Sequence, residues 1–313
     1  MNIVYCGDKK MEDGLLLSNL SILNHTEEPL HIFVLTMRLT IDTKEKNQRF
    51  DPVSPGFINE LERVIKEKNA KNKVTLVDFT EIFQKELPHA NLDTRFTPYC
   101  MLRLFADKIP DITGTEKLLY LDADVICRKD FSGFYHQDLS GYEMAGVADH
   151  YGRWIYSRGP LKADYLNSGV LLLNMEEIRD TRLLEKCREL CADKKMFLPD
   201  QSALNRLSVS KKKQPRRFNE QRRLHDDTVF QHFTTSFRMF PWLHTVTVKP
   251  WEVEKMHSKL KLHEYDALLK KYEELTKEMK NKAAAGKEQK LNEKDQEKPD
   301  EEYRKVNTGF LYH

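Results

Sequence analysis

Short apolar runs alternate with longer amphipathic segments along the first 80 residues of the chain. The runs are compact and rich in β-branched residues, which is typical of buried strands, whereas the segments between them repeat apolar residues at three- and four-residue steps, which is typical of helices. We predict strands at 2–6, 30–36 and 73–79 and helices at 12–26 and 54–70. This alternation predicts an α/β fold with a mostly parallel sheet and helices on both faces.

Three further apolar runs continue the sheet in the second third of the chain. We predict strands at 117–126, 143–149 and 167–178. In such sheets ligands bind at the carboxyl ends of the strands, where Asp8, Asp122 and Asp124 would lie. A helix is predicted at 265–285, and the charged residues beyond it indicate a solvated extension. We therefore expect one domain over 1–260 and a charged helical carboxyl-terminal extension over 261–313.

Composition narrows the class of protein. The 313 residues are 40% hydrophobic and 32% charged, with a net charge of only +2. Basic residues are concentrated locally without interleaved aromatic residues, so we expect no nucleic-acid partner. The chain shows no signal-peptide pattern and no apolar window long enough to span a membrane, and its five cysteines lack C-x-x-C spacing. These features predict a cytoplasmic protein.

The tripeptide Asp122-Ala123-Asp124 follows an apolar strand directly. Two carboxylates at alternate positions of an extended segment point the same way, and paired carboxylates suit Mg²⁺ or Mn²⁺. The alternative is a structural role, in which the carboxylates cap a helix or pair with Arg128.

Other polar residues stand at predicted element boundaries. Asn167 precedes a strand, with Gly169 allowing a close approach of the backbone, and Asp200 opens a helix where it could equally serve as a cap. A lone histidine such as His232 is usually a satisfied core residue. Lys249 lies beside a proline and a tryptophan in a turn.

The order of these motifs resembles family 8 of the retaining glycosyltransferases, which includes glycogenin and bacterial lipopolysaccharide galactosyl- and glucosyltransferases. The motifs are LLYLDADVI (118–126), YLNSGVLLLN (165–174), LPDQSALN (198–205), RFN (217–219), a following histidine and KPW (249–251). The resemblance covers residues 1–251. It implies a Rossmann-like fold of the GT-A type that binds a nucleotide-diphospho-sugar, and it implies UDP-sugar as the donor.

The resemblance also assigns roles to individual residues. It implies that Asp122, Asp124 and His232 hold Mn²⁺ (or Mg²⁺), which assists departure of the nucleoside diphosphate. It implies donor binding by Tyr5, Cys6, Asp8, Arg103, Asp122, Ala123, Asp124 and Lys249, and catalytic contacts to the donor sugar by Asn167, Asp200 and Gln201. The segment 97–110 resembles the family helix that precedes the metal strand, and within it Arg103 could instead pair with Asp107 one turn further along.

The sequence leaves two questions open: the route of sugar transfer and the residue that binds the diphosphate. Gln201 carries an amide and is a poor nucleophile, so we favour front-face transfer with retention, and Asp200 is the candidate for a covalent route. The family pattern H-x-x-G-x-x-K-P-W is altered here, because no glycine stands between His232 and Lys249 and Lys249 lies 17 positions after His232. Either Lys249 or Arg238 would then bind the diphosphate.

The predicted reaction is transfer of a hexose (glucose or galactose) from a UDP-sugar to a glycan or lipid-linked acceptor, as in lipopolysaccharide or surface polysaccharide synthesis. Segment 206–225 carries eight Lys or Arg against one Glu. This segment and the carboxyl-terminal tail predict peripheral contact with the inner face of a membrane, unless the charges form an ordinary solvated surface. The alternatives are a weak or inactive paralogue that binds nucleotide-sugars, and a sugar nucleotidyltransferase, which would need a glycine-rich loop after the first strand.

Overall fold

The computed structural model describes residues 1–42, 47–92, 97–110, 112, 114–150, 164–238 and 244–296. Its strands are β1 (Asn2–Cys6), β2 (His31–Thr36), β3 (Leu39–Asp42), β4 (Asn47–Phe50), β5 (Lys73–Asp78), β6 (Lys117–Leu121), β7 (Val125–Cys127), β8 (Met144–Ala148), β9 (Leu166–Asn174), β10 (Lys211–Gln214), β11 (Phe230–His232), β12 (Ser236–Arg238) and β13 (His244–Val246). Seven of them form one sheet, and the other six form three small antiparallel pairs.

The α-helices in these ranges are α1 (Glu12–Leu23), α2 (Pro55–Lys68), α3 (Thr80–Lys85), α4 (Ser132–Tyr135), α5 (Met175–Thr181), α6 (Leu183–Asp193), α7 (Pro199–Leu207), α8 (Val253–Lys255) and α9 (Asp266–Gln296). Turns of 3-10 helix lie at Lys9–Met11, His89–Asn91, Pro98–Lys108 and Arg216–Phe218, and a π turn lies at Met256–Leu260. The helix predicted at 54–70 begins as expected, because the Ser54 side chain accepts a hydrogen bond from the backbone N–H of Phe57 (3.3 Å).

The seven-stranded sheet has the order β10-β8-β9-β6-β1-β2-β5. Strand β9 runs antiparallel to both β6 and β8, and every other neighbouring pair is parallel. The amino-terminal end of β9 therefore lies beside the carboxyl end of β6. This mixed, mostly parallel sheet confirms the predicted fold class.

The core lies on both sides of this sheet. One apolar cluster joins Val4 and Cys6 of β1 to the Pro98–Lys108 helix, α6 and α7. On the other side of β1, the Tyr5 hydroxyl lies 3.0 Å from Ser18 Oγ of α1. The spacing of its leucines predicts that helix α1 has one apolar side and one solvent-facing side. In the structure every residue from Gly14 to Leu23 is buried, so this part of the helix has no solvent-facing side.

Two predicted strands are shorter in the structure. The run at 117–126 breaks at Asp122, and β7 beyond the break pairs with β11 instead of continuing the main sheet. The prediction of strand through residue 178 is wrong, because β9 ends at Asn174. There the Asn174 side chain caps α5 by accepting from the Glu177 N–H (3.4 Å).

Contacts divide the chain into two units, Met1–Leu269 and Lys270–His313. The helix predicted at 265–285 is present as α9 and extends to Gln296. The predicted domain boundary after residue 260 stays a prediction. Among the helices of the described ranges, none combines the length and apolar character needed to cross a bilayer.

Arg188 of α6 anchors the Pro98–Lys108 helix, which precedes β6 and the carboxylates of Asp122 and Asp124. Its buried guanidinium donates to the Leu104 carbonyl (2.5 Å), to Asp107 (2.7 Å) and to Glu86 (2.6 Å). Asp107 is thus paired with Arg188 and not with Arg103, which leaves the Arg103 guanidinium available for contacts at the edge of the sheet.

Candidate active site

The turn Asp122-Ala123-Asp124, called the D-x-D turn below, forms where β6 leaves the main sheet. The backbone N–H of Asp122 donates to the Gly169 carbonyl (2.9 Å), and the N–H of Val125 turns back to the Asp122 carbonyl (3.1 Å). Both carboxylates therefore lie at the carboxyl edge of the parallel strands, beside the first residues of β9.

Arg103 joins three separate segments at this edge. Its guanidinium donates to Asp122 Oδ1 (2.9 Å) and to the Ser168 carbonyl (2.5 Å), and its Nε lies 3.0 Å from Asp200 Oδ2. The group also covers the Tyr120 ring at 4.1 Å. Burial alone would lower the pKa of Arg103, but the surrounding acidic groups outweigh burial and raise it, so the guanidinium stays charged.

The side chains of Arg128 and Asp200 make other contacts than the pairing and the helix cap considered for them from the sequence. Arg128 donates to Glu264 and to the His225 carbonyl instead of meeting the D-x-D carboxylates. Asp200 lies in the first turn of α7, but its Oδ2 accepts from Arg103 and from the Ser168 hydroxyl (3.3 Å). The pairings considered for Arg128 and for Asp107 with Arg103 are therefore not the ones the structure shows, and Asp200 lies in the first turn of α7 without making a side-chain cap.

His232 reaches the two carboxylates through the small β7–β11 sheet, in which it pairs with Val125. Its Nε2 lies 3.3 Å from Asp124 Oδ1 and 3.5 Å from Asp122 Oδ2. Its Nδ1 lies 3.2 Å from Asn219 Oδ1, which can only accept, so Nδ1 carries a hydrogen, and Nε2 is the ring nitrogen that faces the carboxylates. One ligand atom from each of these three residues lies within 4.8 Å of the others.

This arrangement fits a divalent cation. Asp124 Oδ1 is buried and lacks a partner with good hydrogen-bond geometry, although His232 Nε2 lies 3.3 Å away, so a bound cation would satisfy this oxygen. Gly169 leaves the space, because a Cβ built there would lie 2.1 Å from His232 Cε1 and 2.9 Å from Asp122 Oδ2. Two carboxylates and one imidazole are ligands that divalent metals accept.

Lys249 lies in the same group, with its ammonium in contact with Asp124 Oδ2. Burial by itself would raise the pKa of Asp124, but Lys249 and His232 outweigh it and hold that pKa well below its usual range. The charge of Asp124 in turn raises the pKa of Lys249. Trp251 anchors this turn on α1, since a Cβ at Gly14 would lie 2.6 Å from its ring. The side chain of Arg238 lies outside the described part of the structure.

A chain of buried amides continues from His232 to α7. Asn219 donates to Asn167 Oδ1 (2.8 Å), and Asn167 and Gln201 both donate to Asp149 Oδ2 (2.9 Å each). The N–H of Ser168 donates to Gln201 Oε1 (2.9 Å). The predicted residues Asn167, Asp200 and Gln201 are thus held together beside the D-x-D turn.

Three members of this network were not predicted as site residues. Asp149 ends the predicted strand 143–149, in the same position relative to its strand as Asp122, and that position is a signal that could have identified it. Asn219 belongs to the RFN motif, which contributes to the family resemblance but had no predicted role in the site. Ser168 contributes through its backbone and hydroxyl, and nothing in the pattern of the sequence distinguishes it.

The residues around the end of β1 lie nearby. Cys6 packs in the apolar cluster of the sheet, and charges of Arg103 and Asp122 act on its thiol, although burial dominates and raises the pKa of that thiol. Asp8 is buried and caps the turn at Lys10 (3.0 Å). Tyr5 is completely buried against α1, and Ala123 is buried within the D-x-D turn. Their contacts with a nucleotide stay predictions.

A mixed sheet with one antiparallel strand and an Asp-x-Asp site at its carboxyl edge define the architecture of a GT-A-type glycosyltransferase. Residues 2–255 match the family model described as glycosyl transferase family 8. The chain therefore belongs to glycosyltransferase family 8, which confirms the predicted family and, with it, the predicted class of enzyme.

Individual relatives agree with this assignment. The chain is 27% identical over 213 residues to a lipopolysaccharide 1,2-glucosyltransferase of Escherichia coli (strain K12), covering 66% of this chain and 57% of that protein. A second lipopolysaccharide 1,2-glucosyltransferase, from Escherichia coli, is 26% identical over 269 residues, covering 77% of this chain and 73% of that protein. The chain thus spans little more than half the length of the first relative.

Among solved structures, galactosyltransferase LgtC in complex with donor and acceptor sugar analogs is similar to this protein. The TM-score is 0.55 at 17% identity, over 88% of this chain and 95% of that chain. At this identity the similarity supports the fold alone.

The Gly169→Ala substitution tests the geometry of the cation site. The added methyl group would overlap His232, so we expect the free energy of unfolding to fall by about 1–3 kcal/mol and Mn²⁺ binding to weaken by about tenfold or more. Isothermal titration with Mn²⁺ and urea unfolding measure the two effects. Gly133→Ala is the matched control, because no atom lies within 4 Å of a Cβ there. Unchanged Mn²⁺ affinity in Gly169→Ala would show that the site is not built as described.

Proposed function

We propose that this protein is a metal-dependent retaining glycosyltransferase that moves a hexose from a UDP-sugar to a glycan or lipid-linked acceptor. The observation that carries the proposal is the convergence of Asp122, Asp124 and His232, with the buried Oδ1 of Asp124 that lacks a partner of good hydrogen-bond geometry, at the ligand-binding edge of a GT-A sheet. The names of the Escherichia coli relatives support glucose as the hexose and lipopolysaccharide as the kind of acceptor.

Asp122, Asp124 and His232 would hold the metal, and Mn²⁺ suits the imidazole ligand better than Mg²⁺, which prefers oxygen. When bound, the metal supplies charge neutralisation for the departing diphosphate. The protein's own contribution is orientation. Arg103 fixes Asp122 Oδ1, and Asn219 fixes the ring of His232.

The amide network supports binding of the donor sugar beside the cation site. Asn167 and Gln201 both donate to Asp149 next to the D-x-D turn, and amides and a carboxylate held in fixed positions suit a hydroxyl-rich ligand. The nucleotide would extend toward the end of β1, where Asp8, Cys6 and Tyr5 are predicted to contact it.

Two alternative functions are less well supported. A sugar nucleotidyltransferase would need a glycine-rich phosphate loop after β1, whereas here Asp8 caps a short 3-10 turn. An inactive paralogue would have no need for a complete ligand set with a buried carboxylate oxygen that lacks a partner of good hydrogen-bond geometry.

The basic segment 206–225 is the candidate surface for a membrane or an anionic acceptor. Part of the charge in segment 206–225 is used within the fold, since Arg216 pairs with Glu220 (2.7 Å) and with Asp227 (2.9 Å), and Lys212 donates to the Asp138 carbonyl (2.7 Å). Contact with an anionic membrane through the remaining charges, and a cytoplasmic location, stay proposals. Salt-dependent sedimentation with anionic vesicles tests the membrane contact, and its absence would rule the contact out.

Thermal unfolding with a panel of nucleotide-sugars tests the function. A UDP-hexose at about 100 times its Kd, with Mn²⁺, should raise Tm by about 5 °C, and EDTA or Asp122→Asn should remove the effect. Asp138→Asn, an exposed carboxylate bonded to Ser140, is the control and should keep it. A response to nucleoside triphosphate with sugar phosphate would instead favour a nucleotidyltransferase, and no response to any UDP-sugar would contradict the proposal.

Lys249→Met separates a phosphate ligand from a packing residue. Removing the ammonium should weaken UDP binding about 10- to 100-fold, the value of one charged hydrogen bond. It also frees Asp124, so Mn²⁺ alone should bind at least as tightly as in the unaltered protein. Lys255→Met, which removes an exposed partner of Glu252, should change neither affinity. If Lys249→Met leaves UDP binding unchanged, the role falls to Arg238.

Gln201→Ala tests the front-face mechanism. The amide bonds Asp149 and Ser168 and offers no nucleophile, so its loss should slow sugar transfer by about 100-fold without abolishing it. The rate of transfer to an acceptor at saturating donor measures this, with Gln214→Ala, on the outer strand β10, as control. A glycosyl adduct trapped on Asp200 and identified by mass spectrometry would contradict front-face transfer.

A further inference from the structure

A second group of potential metal ligands lies just beyond the family-matched residues 2–255. It consists of His257 in the π turn, His263 in the following loop and Asp266, the first residue of α9. One ligand atom from each lies within 4.8 Å of the others. Within the described ranges, groups of three such ligands occur only here and at the D-x-D site.

The backbone of this segment is built to bring the two histidines together. Lys261 between them has a φ of 55°, a left-handed conformation that is costly for a residue other than glycine. The two imidazole rings stack with their centroids 4.5 Å apart and an interplanar angle of 15°, so the histidines are close, and one exposed ring would turn for both nitrogens to face one ion. π turns are rare and occur frequently at functional sites.

Asp266 lies against both imidazoles at once. Its Oδ1 is 2.7 Å from His257 Nε2, and its Oδ2 is 3.3 Å from His263 Nδ1. All three side chains are accessible to solvent: 35% of His257, 63% of His263 and 51% of Asp266 is exposed. An ion can therefore reach them, and water can complete its coordination.

The ends of the segment are held by the body of the protein. Met256 is completely buried, and the buried Tyr265 donates its hydroxyl to Gln231. The ligands therefore project from anchored backbone, which reduces the entropy lost when an ion orders them.

The donor set identifies the class of ion. Two imidazole nitrogens and one carboxylate oxygen, with open positions for water, are the ligands of three-residue zinc sites. They differ from the oxygen-rich set at the D-x-D turn, which suits Mn²⁺. We propose that His257, His263 and Asp266 bind one Zn²⁺ ion, which would link the π turn to the first turn of α9 at a site separate from the D-x-D turn.

Zinc titration of the untagged full-length chain against a chromophoric chelator tests the proposal. The Asp122→Asn variant serves as the background, because it lacks one ligand of the D-x-D site. In this background one equivalent of Zn²⁺ should bind, and His257→Gln or His263→Gln should weaken that binding by at least about tenfold. Co²⁺ in place of Zn²⁺ should give a visible absorption band that either substitution removes.

His136→Gln is the matched control, because His136 is also exposed and pairs with a carboxylate, Glu28, at 2.9 Å. It should leave zinc binding unchanged. Far-ultraviolet circular dichroism checks that each variant is folded. Absence of zinc binding in the Asp122→Asn background would overturn the proposal, and so would equal zinc affinities of the His263→Gln and His136→Gln variants. Either result would mean that the three residues only hydrogen-bond to one another.

Discussion

The buried guanidinium of Arg103 is the interaction on which the candidate active site depends. It joins Asp122 after β6, the Ser168 carbonyl at the start of β9 and Asp200 in the first turn of α7. A buried charge of this kind is tolerable only when its hydrogen bonds are satisfied, which explains why three segments distant in sequence meet around it. Because Arg103 occupies Oδ1 of Asp122, the other oxygen is left to face His232, and the cation site follows from this division.

The fold brings the second half of the site to that point by a different route. The main strand stops at Leu121 and a short strand after the D-x-D turn pairs with β11, which carries His232. Hydrogen bonds then run from His232 through Asn219 and Asn167 to Asp149. The candidate metal ligands and the candidate sugar-binding residues are thus parts of one buried polar network, and preorganised catalysis requires such fixed geometry.

Periodicity predicted six of the seven strands of the main sheet, because buried strands are short and apolar, and it placed Asp122 and Asp124 at the carboxyl edge; it missed β10, whose residues Lys211–Gln214 are all polar. It could not predict the burial of α1 on all sides, which depends on what the tertiary fold packs against it. His232 was recognised only through the order of motifs, since β7 and β11 pair across a hundred residues. The contact between Lys249 and Asp124 could not be read from spacing, nor could the meeting of His257 with His263, which needs the left-handed backbone at Lys261.

The central claim is that Asp122, Asp124 and His232 together form the metal site of a UDP-sugar transferase. Anomalous X-ray diffraction at the manganese edge, from crystals grown with Mn²⁺ and UDP, tests it most directly. The account predicts a single strong peak at the active edge of the sheet, bound by these three residues and by the diphosphate. A peak elsewhere, or UDP bound without any metal at this edge, would contradict it.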